Sequence, residues 1–291
     1  MAGTEFIRTD LASEAKEAAN IENIRGISYC EKQISGVEVS DMKITTEEGS
    51  SIIGKPLGRY ITVGCKKSWL MTDEEKENVI QTVTDYITEF VPKGDKTVLV
   101  VGLGNRDITP DSLGPRTVDG LIVTRHVKEY DPKLFYSIGQ EEIAAIAPGV
   151  VGQTGIETLE LIRGAVERVK PDVVIAVDAL AARSVDRLGS TLQLSDTGLS
   201  PGSGIGNRRR EINRTSIGVP VIAIGVPTVV DSSTLVYDAL SKAGIEKIDT
   251  SLKAVLENGR SFFVSLKESD VAVAESAFII SAALNRAFCR V

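Results

Sequence analysis

TVLVVGLG, residues 97–104, is an almost uninterrupted run of apolar, mostly β-branched side chains that stops at glycine. A strand that reads as continuously apolar is buried on both faces, so it belongs in the middle of a sheet with helices on each side. Outward from it, the same pattern recurs at 171–180 (PDVVIAVDAL) and 219–227 (VPVIAIGVP). Upstream, 59–65 (RYITVGC) reads as a strand. Thr72 and Glu75 then form a capping box ahead of Val79, Val83, Tyr86, Ile87 and Phe90 at helical spacing, which predicts a helix over 73–90. Further helices are expected over 112–127, 154–169, 231–243 and 270–288, with a strand near 261–266. Residues 1–55 are polar and weakly periodic, and TTEEGSS at 45–51 reads as a solvent loop. Strands alternating with helices imply an α/β fold with a mostly parallel central sheet, helices on both faces, and function in loops at the strand C-termini.

Composition narrows the chemistry. The chain has 40 acidic against 33 basic side chains, a net charge of -7 and a pI near 5.1, so no global positive field favours direct nucleic-acid binding. Cys30, Cys65 and Cys289 stand far apart without C-x-x-C spacing, which argues against a zinc ribbon or a disulfide scaffold and for a reducing, cytoplasmic setting. The acidic N-terminus lacks an apolar signal core and no long apolar run occurs, so no membrane span is expected. The single histidine, His126, excludes multi-histidine metal sites, and its neighbours Arg125 and Lys128 in a predicted helix favour a structural role. Acid and base work then falls to carboxylates.

The loops after the apolar strands hold those carboxylates. In VVGLGNRDITPDSLGPR, Gly102 and Gly104 start a dinucleotide fingerprint, but Asp107 occupies its third glycine position and would face the pyrophosphate it should help bind. The turn instead delivers Asp107 and Asp111 to the sheet edge, with Pro110 setting Asp111 near a helix start, where it is either functional or a helix cap. Asp178 ends the buried run VVIAV and is either functional or paired with Arg183. Two carboxylates at roughly 3 Å repel by about 5 kcal/mol at an effective dielectric near 20 and would share one proton, the electrostatic basis of a water-activating acid/base pair. Asp196 opens the tripeptide DTG of aspartic proteases, but that motif belongs to all-β folds and is set aside here. The Gly- and Ser-rich loop at 195–207, with Arg208, Arg209 and Arg210, reads either as an anion-binding loop or as a solvated one.

Five stretches give the chain a family resemblance: VVGLGNRDITPDSLGPRTVDGLIVTRH, IAPGVVGQTGIET, KPDVVIAVDALAARS, LQLSDTGLSPGSGIGNRRREI and GVPVIAIGVPTVVD. Together they resemble the germination protease (spore protease) family of spore-forming Firmicutes over residues 95–235, with an extension to the N-terminus through RTDLASEAKE and a less clear match beyond 235. The resemblance implies an α/β core like that of hydrogenase maturation endopeptidases. It implies an endopeptidase, made as an autoprocessed zymogen, that degrades small acid-soluble spore proteins in the spore core when germination begins and assembles as a homotetramer. It implies Asp111 and Asp178 as the catalytic pair, with no cofactor and no metal, because the histidine that helps the maturation enzymes contact nickel has no counterpart here.

Substrates of the family are cut after an acid in a Thr-Glu-(Ile/Phe)-Ala-x-Glu context, which Thr9-Asp10-Leu11-Ala12-Ser13-Glu14 resembles. Cleavage between Asp10 and Leu11 is therefore expected, dividing the chain into a propeptide over 1–10 and a single peptidase domain over 11–291; Thr4-Glu5-Phe6-Ile7 is a weaker site. The alternatives from other classes are a non-enzymatic anion-binding α/β module and a metal-assisted maturation-type endopeptidase.

Overall fold

A computed structural model describes residues 8–19, 24–94, 96–202, 210–245, 251–252 and 262–289. Its strands are β1 (Ile27–Ile34), β2 (Val37–Ile44), β3 (Gly58–Gly64), β4 (Thr97–Gly102), β5 (Glu142–Ile146), β6 (Val173–Ala182), β7 (Thr191–Ser195), β8 (Val221–Asp231) and β9 (Phe263–Ser265). They form one sheet in the order β1-β2-β3-β7-β8-β6-β4-β5, with β9 pairing β8. The strands β8, β6, β4 and β5 are parallel to one another, and β1, β2, β3 and β7 form an antiparallel wing joined to them through β7 and β8.

The parallel strands β4, β6 and β8 are buried on both faces, as their continuous apolar runs require. Along β4, Val98 and Val100 face one core with Val79, Val83 and Ile87 of the Asp73–Phe90 helix and Ile280 and Leu284 of the Ser269–Ala287 helix. Leu99 and Val101 face the other, with Leu159 and Ile162 of the Thr158–Val169 helix. The alternation along one strand thus divides its side chains between two helical layers. The Asp73–Phe90 helix starts at the expected capping box: Thr72 Oγ1 accepts from Glu75 N–H at 3.2 Å and Glu75 accepts from Thr72 N–H at 3.0 Å. Among the described residues, no helix is long and apolar enough to cross a membrane.

The expectations for two stretches are corrected, residues 27–53 and residues 112–127. Residues 27–44 form a hairpin rather than irregular chain, turning at Ser35 and Gly36 with φ of 50° and 81°. β1 is an exposed edge strand without alternation, while β2 changes phase: Val37 and Val39 bury into the main core, whereas Met42 and Ile44 face the N-terminal cluster. That switch hides the period of 2. The TTEEGSS segment holds a helix, Glu47–Ile53, capped by Thr46 Oγ1 accepting from Gly49 N–H.

The second correction concerns the helix expected over 112–127, which is split into Leu113–Asp119 and Arg125–Tyr130. Between them the chain is tied to β5, where Thr124 N–H donates to Ile143 O at 3.0 Å and Ile143 N–H donates to Thr124 Oγ1 at 2.9 Å. The β-branched run Ile122, Val123 and Thr124 suits that extended pairing better than helix. The short strands β5 (EIAAI) and β7 (TLQLS) complete the sheet.

Candidate active site

Parallel register sets Gly102, the last residue of β4, opposite Val177 of β6, so the next residue, Asp178, stands beside the loop that leaves β4. Asp178 lies within β6, which runs on to Ala182, and not in a loop after the strand as the apolar run alone suggests. That loop is pinned to the sheet by Leu103 N–H donating to Val177 O at 2.8 Å. Two glycines allow the close approach. A Cβ at Gly104, which has φ of +108°, would stand 2.0 Å from Asp111 O, and one at Gly114 would stand 2.3 Å from Leu103 O and 2.6 Å from Val177 O. Gly104 and Gly114 therefore pack the loop carrying Asp111 onto the strand carrying Asp178. Asp111 does not cap the following helix. Its Oδ2 accepts from Asn105 N–H at 2.7 Å, folding the loop back on itself.

Asp178 is 6% exposed, and its Oδ1 accepts from Ala179 N–H at 2.9 Å. The expected alternative partner, Arg183, is engaged elsewhere: its Nε donates to Asp238 at 3.2 Å. Asp111 and Asp178 line one cavity of about 280 Å³, together with Gly104, Ala181, Thr228 and Asp10. Asp10 and Asp178 also line an adjoining cavity of about 410 Å³ with Lys55, Gln193 and Gly225. Three carboxylates from distant parts of the chain thus reach one crevice at the C-terminal end of the parallel strands, where open α/β sheets carry their sites.

The segment around Asp10 is held there along its length. Asp10 N–H donates to Ala181 O at 2.9 Å, and Ala181 N–H donates to Asp10 Oδ2 at 2.8 Å. From the other side Gln193 Nε2 donates to Asp10 O at 3.0 Å and Gln193 Oε1 accepts from Ala12 N–H at 2.7 Å. Lys55 Nζ donates to Thr9 O at 3.0 Å; desolvation lowers the Lys55 pKa, while the charges of Asp10 and Glu14 oppose that shift. Leu11 is fully buried among Ala182, Leu188 and Val230, an anchor of about 1.5–3 kcal/mol. Glu14, 1% exposed, accepts from Arg183 N–H at 2.7 Å and Ser184 N–H at 2.9 Å, and from the Thr9 hydroxyl. Thr9 Oγ1 in turn accepts from Leu11 N–H at 3.0 Å.

Other sequence candidates lie outside this crevice. His126 is exposed on the Arg125–Tyr130 helix and lines neither cavity. Asp107 is exposed and accepts from Gln153 Nε2 at 3.0 Å. Asp196 is also exposed and accepts from Arg59 N–H at 2.8 Å, a structural link between β7 and β3. Of the Gly- and Ser-rich loop and its arginines, residues 203–209 lie outside the described residues, as does the Thr4-Glu5-Phe6-Ile7 site. Among the described residues no group of three or more His, Cys, Asp or Glu could hold a metal ion. Burial pushes the Cys65 thiol up to about 12, far from nucleophilic at neutral pH.

Sequence reasoning missed Lys55 and Gln193. The signal for Gln193 is its position between Leu192 and Leu194 on a strand buried throughout, where an amide needs partners.

Comparison with known proteins identifies the family. The germination protease profile matches residues 6–248. The chain is 43% identical to the germination protease of Caldanaerobacter subterraneus subsp. tengcongensis, covering 97% of this chain and 94% of that one. It is 46% identical to the germination protease of Priestia megaterium over 80% of this chain and 66% of that one, and 42% identical to that of Clostridium acetobutylicum over 91% and 81%. Among solved structures, the [NiFe] hydrogenase maturation protease HycI from Thermococcus kodakarensis KOD1 is similar at a TM-score of 0.33 and 16% identity, covering 58% of this chain and 99% of that one. On these matches the chain belongs to the germination protease family, and it is an endopeptidase of spore germination.

Proposed function

We propose that this endopeptidase is a zymogen that cuts its own chain between Asp10 and Leu11 and then cuts small acid-soluble spore proteins, using Asp111 and Asp178 to activate water. The observation that carries this reading is that Asp10 lines the same cavity as both aspartates, while the residues around it are held from two sides like a bound substrate. One carboxyl of the pair is ionised and removes a proton from water, whose oxygen bonds to the Asp10 carbonyl carbon. The other carboxyl is protonated and gives its proton to the Leu11 nitrogen as the C–N bond breaks. One water is consumed, and the products are a new carboxyl at Asp10 and an amine at Leu11. The two roles are assigned to the pair and not to either residue singly.

The remaining parts of the proposal rest on the family. They are a propeptide over 1–10, a single peptidase domain over 11–291, a homotetramer, and action in the spore core as germination begins. The test is to incubate the purified full chain and read its intact mass, then add a small acid-soluble spore protein. Loss of residues 1–10 with Leu11 as the new terminus, followed by cleavage of the added protein after acidic residues, is the expected result. A chain that keeps its N-terminus and leaves the added protein whole contradicts the proposal. Light scattering checks the assembly, which is expected at four times 31.2 kDa.

A further inference from the structure

The geometry points to Gln193 as a third catalytic residue, the donor that stabilises the oxyanion formed at the cut carbonyl. This inference rests on the proposed self-cleavage and adds to it a group on a different strand from either aspartate. Antiparallel pairing sets Gln193 of β7 opposite Gly225 of β8, and parallel pairing sets Gly225 opposite Asp178 of β6. The three residues therefore form one row across adjacent strands, with their side-chain positions on the same face of the sheet. The central position is glycine, and a Cβ there would stand 2.5 Å from Leu180 Cγ. The Leu180 side chain packs over that glycine, and Gln193, Gly225, Asp178 and Leu180 all line the adjoining cavity with Asp10.

The segment to be cut is bracketed by the same amide. Gln193 Oε1 accepts from Ala12 N–H at 2.7 Å, which fixes the amide orientation and commits Nε2 to donation. Nε2 donates to Asp10 O at 3.0 Å, the carbonyl oxygen of the bond expected to break. Gln193 is 8% exposed, so this donor works in a largely desolvated setting, where a hydrogen bond to developing negative charge is strong. When water attacks the Asp10 carbonyl carbon, the negative charge gathers on the oxygen that Gln193 already holds. No proton moves to or from Gln193; it returns to its starting contact when the C–N bond breaks.

Gln193→Glu keeps an acceptor for Ala12 N–H and sets a carboxylate oxygen against the carbonyl. The readouts are the self-cleavage rate constant and the kcat and KM for a peptide of residues 6–17 (FIRTDLASEAKE). At neutral pH, kcat and self-cleavage are expected to fall about 100-fold or more, a larger factor than the rise in KM from the lost ground-state contact with Asp10 O. As acid protonates the new carboxyl and restores an O–H donor, the deficit relative to the unmodified protein should shrink. Gln193→Met, neutral and similar in size, should show the same loss with no recovery in acid, its fold checked by near-UV circular dichroism. Near-full kcat in either folded variant overturns the assignment while leaving the peptidase reading intact. An unmodified protein that cuts neither itself nor the peptide overturns that reading, and the assignment with it.

Discussion

The four parallel strands β4, β5, β6 and β8 and the antiparallel wing of β1, β2, β3 and β7 belong to one sheet but carry different chemistry. The parallel half, whose central strands β4, β6 and β8 are buried on both faces, supplies Asp178 from within β6 and Asp111 from the loop packed against it. The wing and the loop that enters it supply an amide, Gln193, and an ammonium, Lys55, which meet the chain at Thr9 and Asp10. The segment at residues 9–14 lies where the halves join, gripped by Ala181, Arg183 and Ser184 from one side and by Gln193 and Lys55 from the other. The parallel half holds the two aspartates, and the wing holds the peptide against them and supplies the proposed oxyanion donor.

That division can be broken from either side. Gly104→Ala attacks the parallel half. Its Cβ would collide with Asp111 O, and the position has positive φ, so stability should drop by about 2 kcal/mol or more and the Asp111 loop should move. A displacement near 1 Å at a reacting group costs about 100-fold in rate, which peptide cleavage assays at matched folded fraction will detect.

Glu14→Gln attacks the grip instead. The new amide can accept from only one of the two backbone N–H donors and presents its own N–H₂ to the other. Loss of a charge-assisted contact of about 1.5–3 kcal/mol should slow self-cleavage about tenfold or more, read by intact mass over time. Cleavage of an added peptide should be slowed less, because its own acid fills the same contact.

The smallest effect is expected at Cys65, at the end of the wing. With its thiol pushed up to about 12, it stays protonated at pH 8 and reacts with iodoacetamide more slowly than the exposed Cys30 and Cys289. Alkylation of those two should leave peptide cleavage unchanged. A thiol whose modification abolishes cleavage would shift the chemistry from the parallel half to a cysteine.

Legibility in the sequence follows the same division. The parallel strands are readable because burial on both faces writes a continuous apolar run, and Asp111 and Asp178 are readable because carboxylates after such runs are conspicuous. The family resemblance strengthens both. The hairpin at 27–44 is harder to see: β1 is exposed along most of its length, and β2 switches its buried face between Val39 and Met42. Its local signal is Gly36, which suits the positive φ that it adopts, while Ser35 takes a positive φ that serine does not favour. Gln193 and Ala12 meet across 181 residues of chain, a contact that depends on register. The grip on Glu14 uses backbone N–H groups, which no side-chain pattern announces.

The most direct measurement is a double-mutant cycle on the proposed pair. It compares peptide cleavage rates of the unmodified protein, Asp111→Asn, Asp178→Asn and the double variant, each checked for an unchanged unfolding midpoint. Each single change should cost about a thousandfold, and the double should be no worse than the poorer single, because groups that share one proton act as a unit. Near-full activity in either single variant would contradict the account.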